Sequence, residues 1–435
     1  MIKLLKRQPP LRLIALGFLA AILIGSGILM LPICHRDGVT VSYIDAMYTA
    51  TSAVCITGLL TVDTGLTFNP LGQFIIGFLI QIGGLGITTV GAGIILVAGQ
   101  KMDLKSRNLV HEAMNLDSGK GAVKFIRDVF IITFIFEAVG ALLSFISFSK
   151  YFPLPKAIGV SIFHSIAAFN NAGFDNLGNN MQNLIPYRDD ILLNLTTTAL
   201  ISFGGIGFLV IKELIDKNCR WKKLSMHARV VITVSAVLTF GGTLLIKLTE
   251  GSGITWLGAF FSSVSARTAG FSTFSFGSFS NAGLVVMSVL MFIGASSGST
   301  GGGIKTSTFF VLVNGLISSA TGKGEKAFHY SLPKTAFRKA AVIVLFGIAT
   351  VIVSSFLLCC IEPHIPLRDI LFEMISAFGT VGLSTGITPS LSVKSKIISI
   401  LVMYIGRLGP LTVASVWYFS KGERVSYPEG NITIG

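Results

Sequence analysis

Residues 48–58 read YTATSAVCITG, and the same pattern returns three times: 163–173 FHSIAAFNNAG, 260–270 FFSSVSARTAG and 372–382 FEMISAFGTVG. Each stretch opens on an aromatic ten residues before its final glycine and carries Ala or Ser five before it. Each then runs on into Leu59, Phe174, Phe271 or Leu383. The glycines Gly58, Gly173, Gly270 and Gly382 stand 115, 97 and 112 residues apart. A bilayer takes about 20 apolar residues to cross, so segments this short must enter and leave on one side. Irregular backbone at that depth is tolerated only where protein or a watery cavity surrounds it.

The flanking sequence shows that a bilayer is present. Of 435 residues 51% are hydrophobic and 12% charged, about half the charge of a soluble domain. Apolar runs at 11–31, 74–98, 131–148, 230–246 and 340–360 are each about a span long. Every short segment lies between two such runs, and the second run carries a glycine-rich mark: 82–87 IGGLGI, 203–208 FGGIGF, 293–299 IGASSGS and 405–410 IGRLGP. The expected fold is an all-α polytopic membrane protein. It has four M1-P-M2 repeats, hence eight transmembrane helices and four re-entrant pore helices, with pseudo-fourfold symmetry around one pore. The repeats divide at 1–100, 101–222, 223–322 and 323–420, leaving a tail at 421–435.

The net charge of +14 reports topology. The basic residues gather at 3–12, 101–127, 212–229 and 323–339, with Lys421 and Arg424 in the tail, and the alternate connections are poor in them. Lys and Arg mark the cytoplasmic side, so both termini are expected inside, with the first apolar run retained as a helix. Scattered in this way, the charge does not make a nucleic-acid surface. The five cysteines, Cys34, Cys55, Cys219, Cys359 and Cys360, show no CxxC pair and no metal-ligand spacing.

A half-helix whose C-terminus points inward aims partial negative charge at the centre, which suits a cation. Glycine permits the positive φ that lets successive carbonyls face one axis, and four such loops would replace an ion's hydration shell. The residues 294–306 (GASSGSTGGGIKT) interrupt the second run of the third repeat, a composition costly for a helix. Their likeness to a phosphate-binding loop fails on spacing, since Ile304 separates Gly303 from Lys305. Arg407 lies mid-helix, where a charge costs about 2.5–3.5 kcal/mol, so it should face protein or water. For Arg267, three before Gly270, Asp175 and Glu373 are both candidate acidic partners. Asp63 and Asp175 lie just outside filter glycines, while His164 is read as packing and His111 and Glu112 as cytoplasmic surface. An intramembrane protease built on Ser296 or Ser299 finds no histidine placed to complete it. Inverted-repeat transporters pair repeats of opposite topology, whereas these four run the same way.

The stretches SAVCITGL, AFNNAGF, ARTAGF and SAFGTVGLSTGITP resemble the pore loops of the Trk/Ktr/HKT superfamily of potassium transporters, most of all its KtrB-type pore-forming subunits, along nearly the whole chain. The resemblance implies a plasma-membrane potassium uptake protein and no enzyme. It implies a selectivity filter at Cys55, Ile56, Thr57, Gly58; Asn170, Asn171, Ala172, Gly173; Arg267, Thr268, Ala269, Gly270; and Gly379, Thr380, Val381, Gly382. K+ would bind the backbone carbonyls at Gly58, Gly173, Gly270 and Gly382. In plant relatives serine at the first of these accompanies sodium selectivity, so glycine at all four implies potassium. The same resemblance makes Gly294, Ser296, Ser297, Gly298, Gly301, Gly302, Gly303 and Lys305 part of a gating loop and Arg407 an electrostatic barrier beneath the filter. It further implies a homodimer, activation by Na+, and a cytosolic RCK/KTN ring of KtrA type that binds ATP or ADP, with no nucleotide held by this chain.

Overall fold

A computed structural model describes residues 10–97, 121–333 and 335–409. His111, Glu112, Lys421, Arg424 and the tail 421–435 lie outside the described residues. Unit one comprises α1 (Pro10–Leu29), the short α2 (Tyr43–Val54), α3 (Pro70–Leu85) and α4 (Ile87–Val97). Unit two repeats the order with α5 (Ala122–Phe148), α6 (Leu154–Phe169), α7 (Ile191–Ile206) and α8 (Phe208–Asp216). Unit three has α9 (Met226–Glu250), α10 (Trp256–Ser265), α11 (Asn281–Phe292) and α12 (Thr306–Thr321). A hairpin of β1 (Lys326–Ala327) and β2 (Tyr330–Ser331) leads into unit four: α13 (Ala336–Ile361), α14 (Leu367–Gly379) and α15 (Val393–Leu408).

The first helix of each unit, α1, α5, α9 and α13, is long and apolar enough to cross a membrane. The second helix is broken at its glycine mark in units one and two, where a continuous span was expected, and in unit three, where an interruption at 294–306 was expected. In unit four α15 ends at Leu408, next to Gly409, the last described residue. Gly86, Gly207 and Gly409 take φ of 82°, 100° and 84°, a conformation that ends a helix at little cost only in glycine. In unit two the pieces meet at 95°. The marks also admit close approach: a Cβ on Gly204 or Gly406 would overlap the carbonyl of Phe169 or Phe378 at the end of a pore helix.

Packing between units closes a circle. Helix α3 lies on pore helix α6, α7 on α10, α11 on α14, and α15 returns to α2. Large apolar side chains such as Phe74, Phe134, Leu142, Phe240 and Phe356 are exposed on the outside, whereas Thr49, Thr51, Ser52, Ser263 and Ser376 are buried within. This inversion suits a lipid-facing wall around a polar centre. At the outer ends of units three and four, the carboxylate closing the first helix grips the cap of the second. Glu250 accepts from Ser280 N and Oγ (3.1 and 2.7 Å), and Glu362 from Ser392 N and Ser395 Oγ (2.9 and 2.8 Å). Hydrogen bonds, chiefly from Ser392, hold the Glu362 carboxyl below the usual carboxylate range. Glu362→Ala is expected to lower the stability of the detergent-solubilised protein by about 1 kcal/mol, read as thermal melting, with Glu362→Gln losing less.

Candidate functional site

The four pore helices end in one repeated backbone motif. The residue two before each final glycine is left-handed: Ile56, Asn171, Thr268 and Thr380 have φ of 51°, 56°, 69° and 49°. The glycines themselves follow at 92°, 68°, 78° and 94° for Gly58, Gly173, Gly270 and Gly382. Left-handed backbone at β-branched Ile and Thr is uncommon, and three such residues beside Asn171 at the matching position show that the surroundings enforce it. The intervening N–H groups are tied back into the helices. Thr57 N donates to Ser52 O at 2.8 Å, Ala172 N to Ala167 O at 2.8 Å, Ala269 N to Ser265 O at 2.9 Å and Val381 N to Ser376 O at 2.9 Å. Gly58 N and Gly382 N are held by Ser52 Oγ and Ser376 Oγ at 2.9 and 3.0 Å.

The loops meet in cyclic order. A Cβ on Gly58 would stand 2.6 Å from Ala172 O, and one on Gly173 2.9 Å from Ala269 O; one on Gly270 would strike Val381 O, and one on Gly382 Thr57 O. Each glycine thus abuts the carbonyl preceding its neighbour's glycine. Among the described residues no hydrogen bond reaches the carbonyls of Ile56, Thr57, Asn171, Ala172, Thr268, Ala269, Thr380 or Val381, although all eight residues are buried. Buried carbonyls are nearly always paired, and no protein group among the described residues pairs these. On the outer side, the four glycines line a cavity of about 310 Å³ with Asp175, Asn183, Ser272 and Ser384.

Beneath the ring lies the segment 294–305. A parallel bridge between Ile293 and Ile304 closes its neck, with Gly294 N donating to Ile304 O at 2.8 Å. It is strapped to the glycine mark of unit two by Ser296 N to Gly205 O (3.0 Å), Thr300 N to Gly204 O (3.3 Å) and Phe208 N to Gly298 O (3.1 Å). Gly302 N donates to Thr380 Oγ1 at 3.1 Å, and Gly301 packs on Thr268. Ser297 Oγ meets Ser307 Oγ at 3.0 Å. Two cations cap its carbonyls: Lys305 Nζ donates to Gly301 O at 2.7 Å, and Arg407 Nη1 to Thr300 O at 2.5 Å. Arg407 Nη2 also donates to Gly83 O in the mark of unit one.

Residues 18–420 match the family model TrkH, cation transport protein. The chain belongs to this family. Among the relatives of this cation transporter, the Ktr system potassium uptake protein B of Bacillus subtilis is 38% identical, covering 100% of this chain and 98% of the relative. The potassium/sodium uptake protein NtpJ of Enterococcus hirae is 37% identical over 99% and 98%. The fold matches the potassium transporter TrkH of Vibrio parahaemolyticus with a TM-score of 0.74 at 18% identity, covering 95% of this chain and 86% of that one. The chain is therefore a multi-pass transport protein of the Trk/Ktr/HKT superfamily.

In this cation transporter Arg267 pairs with neither acidic candidate. Its Nη1 and Nη2 reach Ser235 O (3.1 Å) and Ser235 Oγ (3.0 Å) on α9, because the side chain leaves the axis toward the first helix of its unit. Glu373 instead accepts from Ser384 Oγ and Thr388 Oγ1 at 2.7 and 2.5 Å, bracing the outer loop after Gly382. Asp175 borders the outer cavity and accepts from Asn183 Nδ2 at 2.9 Å. Asp63 caps a helical turn through Leu66 N at 2.9 Å. His164 is buried against Phe148 and Phe271 and meets Thr197 Oγ1 at 2.9 Å, as packing requires. The sequence reading missed Glu137 and Gln81, which touch Asn170. A lone carboxylate inside the apolar run 131–148 was the available signal. Gly382→Ala, placing a methyl against Thr57 O, is expected to lower ion uptake about tenfold or more while the protein still reaches the membrane. Gly27→Ala, with open space around it, should leave uptake near wild type in the same cellular assay.

Proposed function

We propose that this chain is the potassium-conducting pore of a Ktr-type uptake system in the bacterial plasma membrane, with the four loops as its selectivity filter. The observation that carries this is the cyclic set of buried carbonyls without protein donors: a dehydrated monovalent cation is the partner such a ring lacks. In this reading the ligands are backbone carbonyls; among the described residues no group of three or more His, Cys, Asp or Glu could hold a metal ion. Cys55 to Gly58, Asn170 to Gly173, Arg267 to Gly270 and Gly379 to Gly382 form the four strands of the filter, although the side chains of Asn170 and Arg267 serve as outward anchors.

The segment 294–305 acts as the gate in this reading. It lies directly under Thr268 and Thr380, and the positive charges of Lys305 and Arg407 oppose a cation leaving the filter. Conduction then requires the loop to withdraw, releasing its bonds to Gly204, Gly205 and Thr380. Both termini are cytoplasmic in this account. The chain dimerises and docks a cytosolic RCK/KTN ring of KtrA type, which binds ATP or ADP and supplies the work of withdrawing the loop, with Na+ as activator. The sequence similarity to Ktr subunits supports this assembly, and pull-down of the tagged chain from native membranes should recover the ring.

The name of the Enterococcus relative includes sodium, so sodium uptake is the second reading; glycine at all four filter positions favours potassium. Gly58→Ser decides between them in a bacterium lacking potassium uptake. The expected outcome is weaker growth at low potassium and increased sodium entry, and an unchanged K+/Na+ preference would overturn the filter assignment. Shortening 296–303 should raise flux and weaken its dependence on the ring; unaltered or lower flux counts against a gate.

A further inference from the structure

The residue three before each filter glycine differs among the loops: Cys55, Asn170, Arg267 and Gly379. Asn170 and Arg267 reach outward to the first helices of their own units, at Glu137 and Ser235. The Asn170 anchor is a closed triangle of polar groups, with Asn170 buried and Gln81 and Glu137 half-buried. Asn170 Nδ2 donates to Gln81 Oε1 at 2.8 Å and to Glu137 Oε1 at 2.9 Å, and Gln81 Nε2 donates to Glu137 Oε2 at 3.3 Å. Gln81 belongs to α3 of the neighbouring unit, so the triangle ties two units to one filter strand. Asn170 Nδ2 also holds Ile166 O at 2.9 Å in the last turn of α6. The next residue, left-handed Asn171, meets Thr268 of the third strand at 3.3 Å.

The chemistry of this triangle is a parity constraint. Asn170 presents the same atom to both partners, so each partner must turn an acceptor toward it. The remaining edge, between positions 81 and 137, then needs one donor and one acceptor. One amide and one carboxylate satisfy all three edges. Two amides cannot, because any rotation that mends one edge sets like atoms facing on another, and a buried donor without an acceptor is costly. In its ionised form Glu137 supplies the acceptor-only group, and nothing else in the triangle does. Its place in α5, beside the lipid-exposed Phe134 and Ile135, is an expensive one for a carboxyl group, which fits a role that an apolar side chain could not perform.

We propose that Glu137 is a positioning residue for ion selectivity: through Asn170, and with Gln81 as the cross-strut, it sets the backbone of the second filter strand. This rests on reading the four loops as the filter. The test measures K+ and Na+ fluxes under opposed gradients in membrane vesicles carrying the full chain. Glu137→Gln breaks one edge, as does Gln81→Glu at a pH high enough to remove the proton that two adjacent carboxyls share. Each should raise the Na+/K+ permeability ratio about tenfold. The exchanged pair Gln81→Glu with Glu137→Gln restores every edge in mirror order and should return the ratio to within about twofold of wild type. A structural role without bearing on selectivity would change the amount of folded protein and leave the ratio alone. A wild-type ratio in Glu137→Gln, or an exchanged pair no better than the single variants, overturns the proposal. Should Glu137→Gln fail to accumulate, Glu137→Asp, which keeps the charge and shortens the reach, takes its place with the same expectations. Gly173→Ser separates the two levels. A shifted ratio there beside an unchanged one in Glu137→Gln defeats the positioning role and leaves the filter standing, whereas no shift in either defeats both.

Discussion

Carbonyl groups at membrane depth must have partners, and eight of them at the centre of this molecule have none from the protein. The architecture around them can be understood as what makes that arrangement tolerable. Four short helices bring their C-termini together, so that the adjacent N–H groups are consumed by the helices and only oxygen is left over. Left-handed backbone at two positions per strand turns the chain sharply enough for the strands to meet. Glycine at the second position lets each strand touch the carbonyl of the next without a clash. In the function proposed above, a cation on the axis would complete the structure in the way that a hydrogen-bond donor otherwise would.

The same constraint explains the second helices. Each must pass close behind a pore helix that ends halfway across the membrane, and the glycine marks allow that approach at Gly204 and Gly406. In unit three the break expands into the segment 294–305, which occupies the space under the ring that a straight helix would leave open. Lys305 and Arg407 cap carbonyls of this segment and place basic groups beneath the ring. The ring and the segment beneath it are therefore made of the same material, backbone carbonyl groups. One set is left without protein donors and the other is capped by cations.

Much of this was legible in the residues. The four aligned glycines, their even spacing and the alternation of basic loops were enough for the repeat, the fold class and the ring. The composition of 294–306 and the depth of Arg407 marked a helix break and a charge that must face protein or water, and the family resemblance placed both beneath the ring. Other features were hidden because they depend on distance in space. The breaks at Gly86 and Gly207 and the helix end before Gly409 look like ordinary small-residue helix contacts until the pore helices behind them are placed. The partner of Arg267 was sought among carboxylates, since charge suggests charge, but the guanidinium found a backbone carbonyl and hydroxyls on α9. Glu137 escaped notice because its partners, Gln81 and Asn170, lie 56 and 33 residues away in sequence.

The central claim is that the ring of Gly58, Gly173, Gly270 and Gly382 binds a dehydrated potassium ion. Anomalous diffraction from crystals of the full chain grown with rubidium or thallium in place of potassium tests it most directly. The account predicts a peak on the pseudo-fourfold axis within the ring, in contact with the carbonyls of Thr57, Ala172, Ala269 and Val381. An empty ring, with the heavy cation bound elsewhere in the protein, would contradict it.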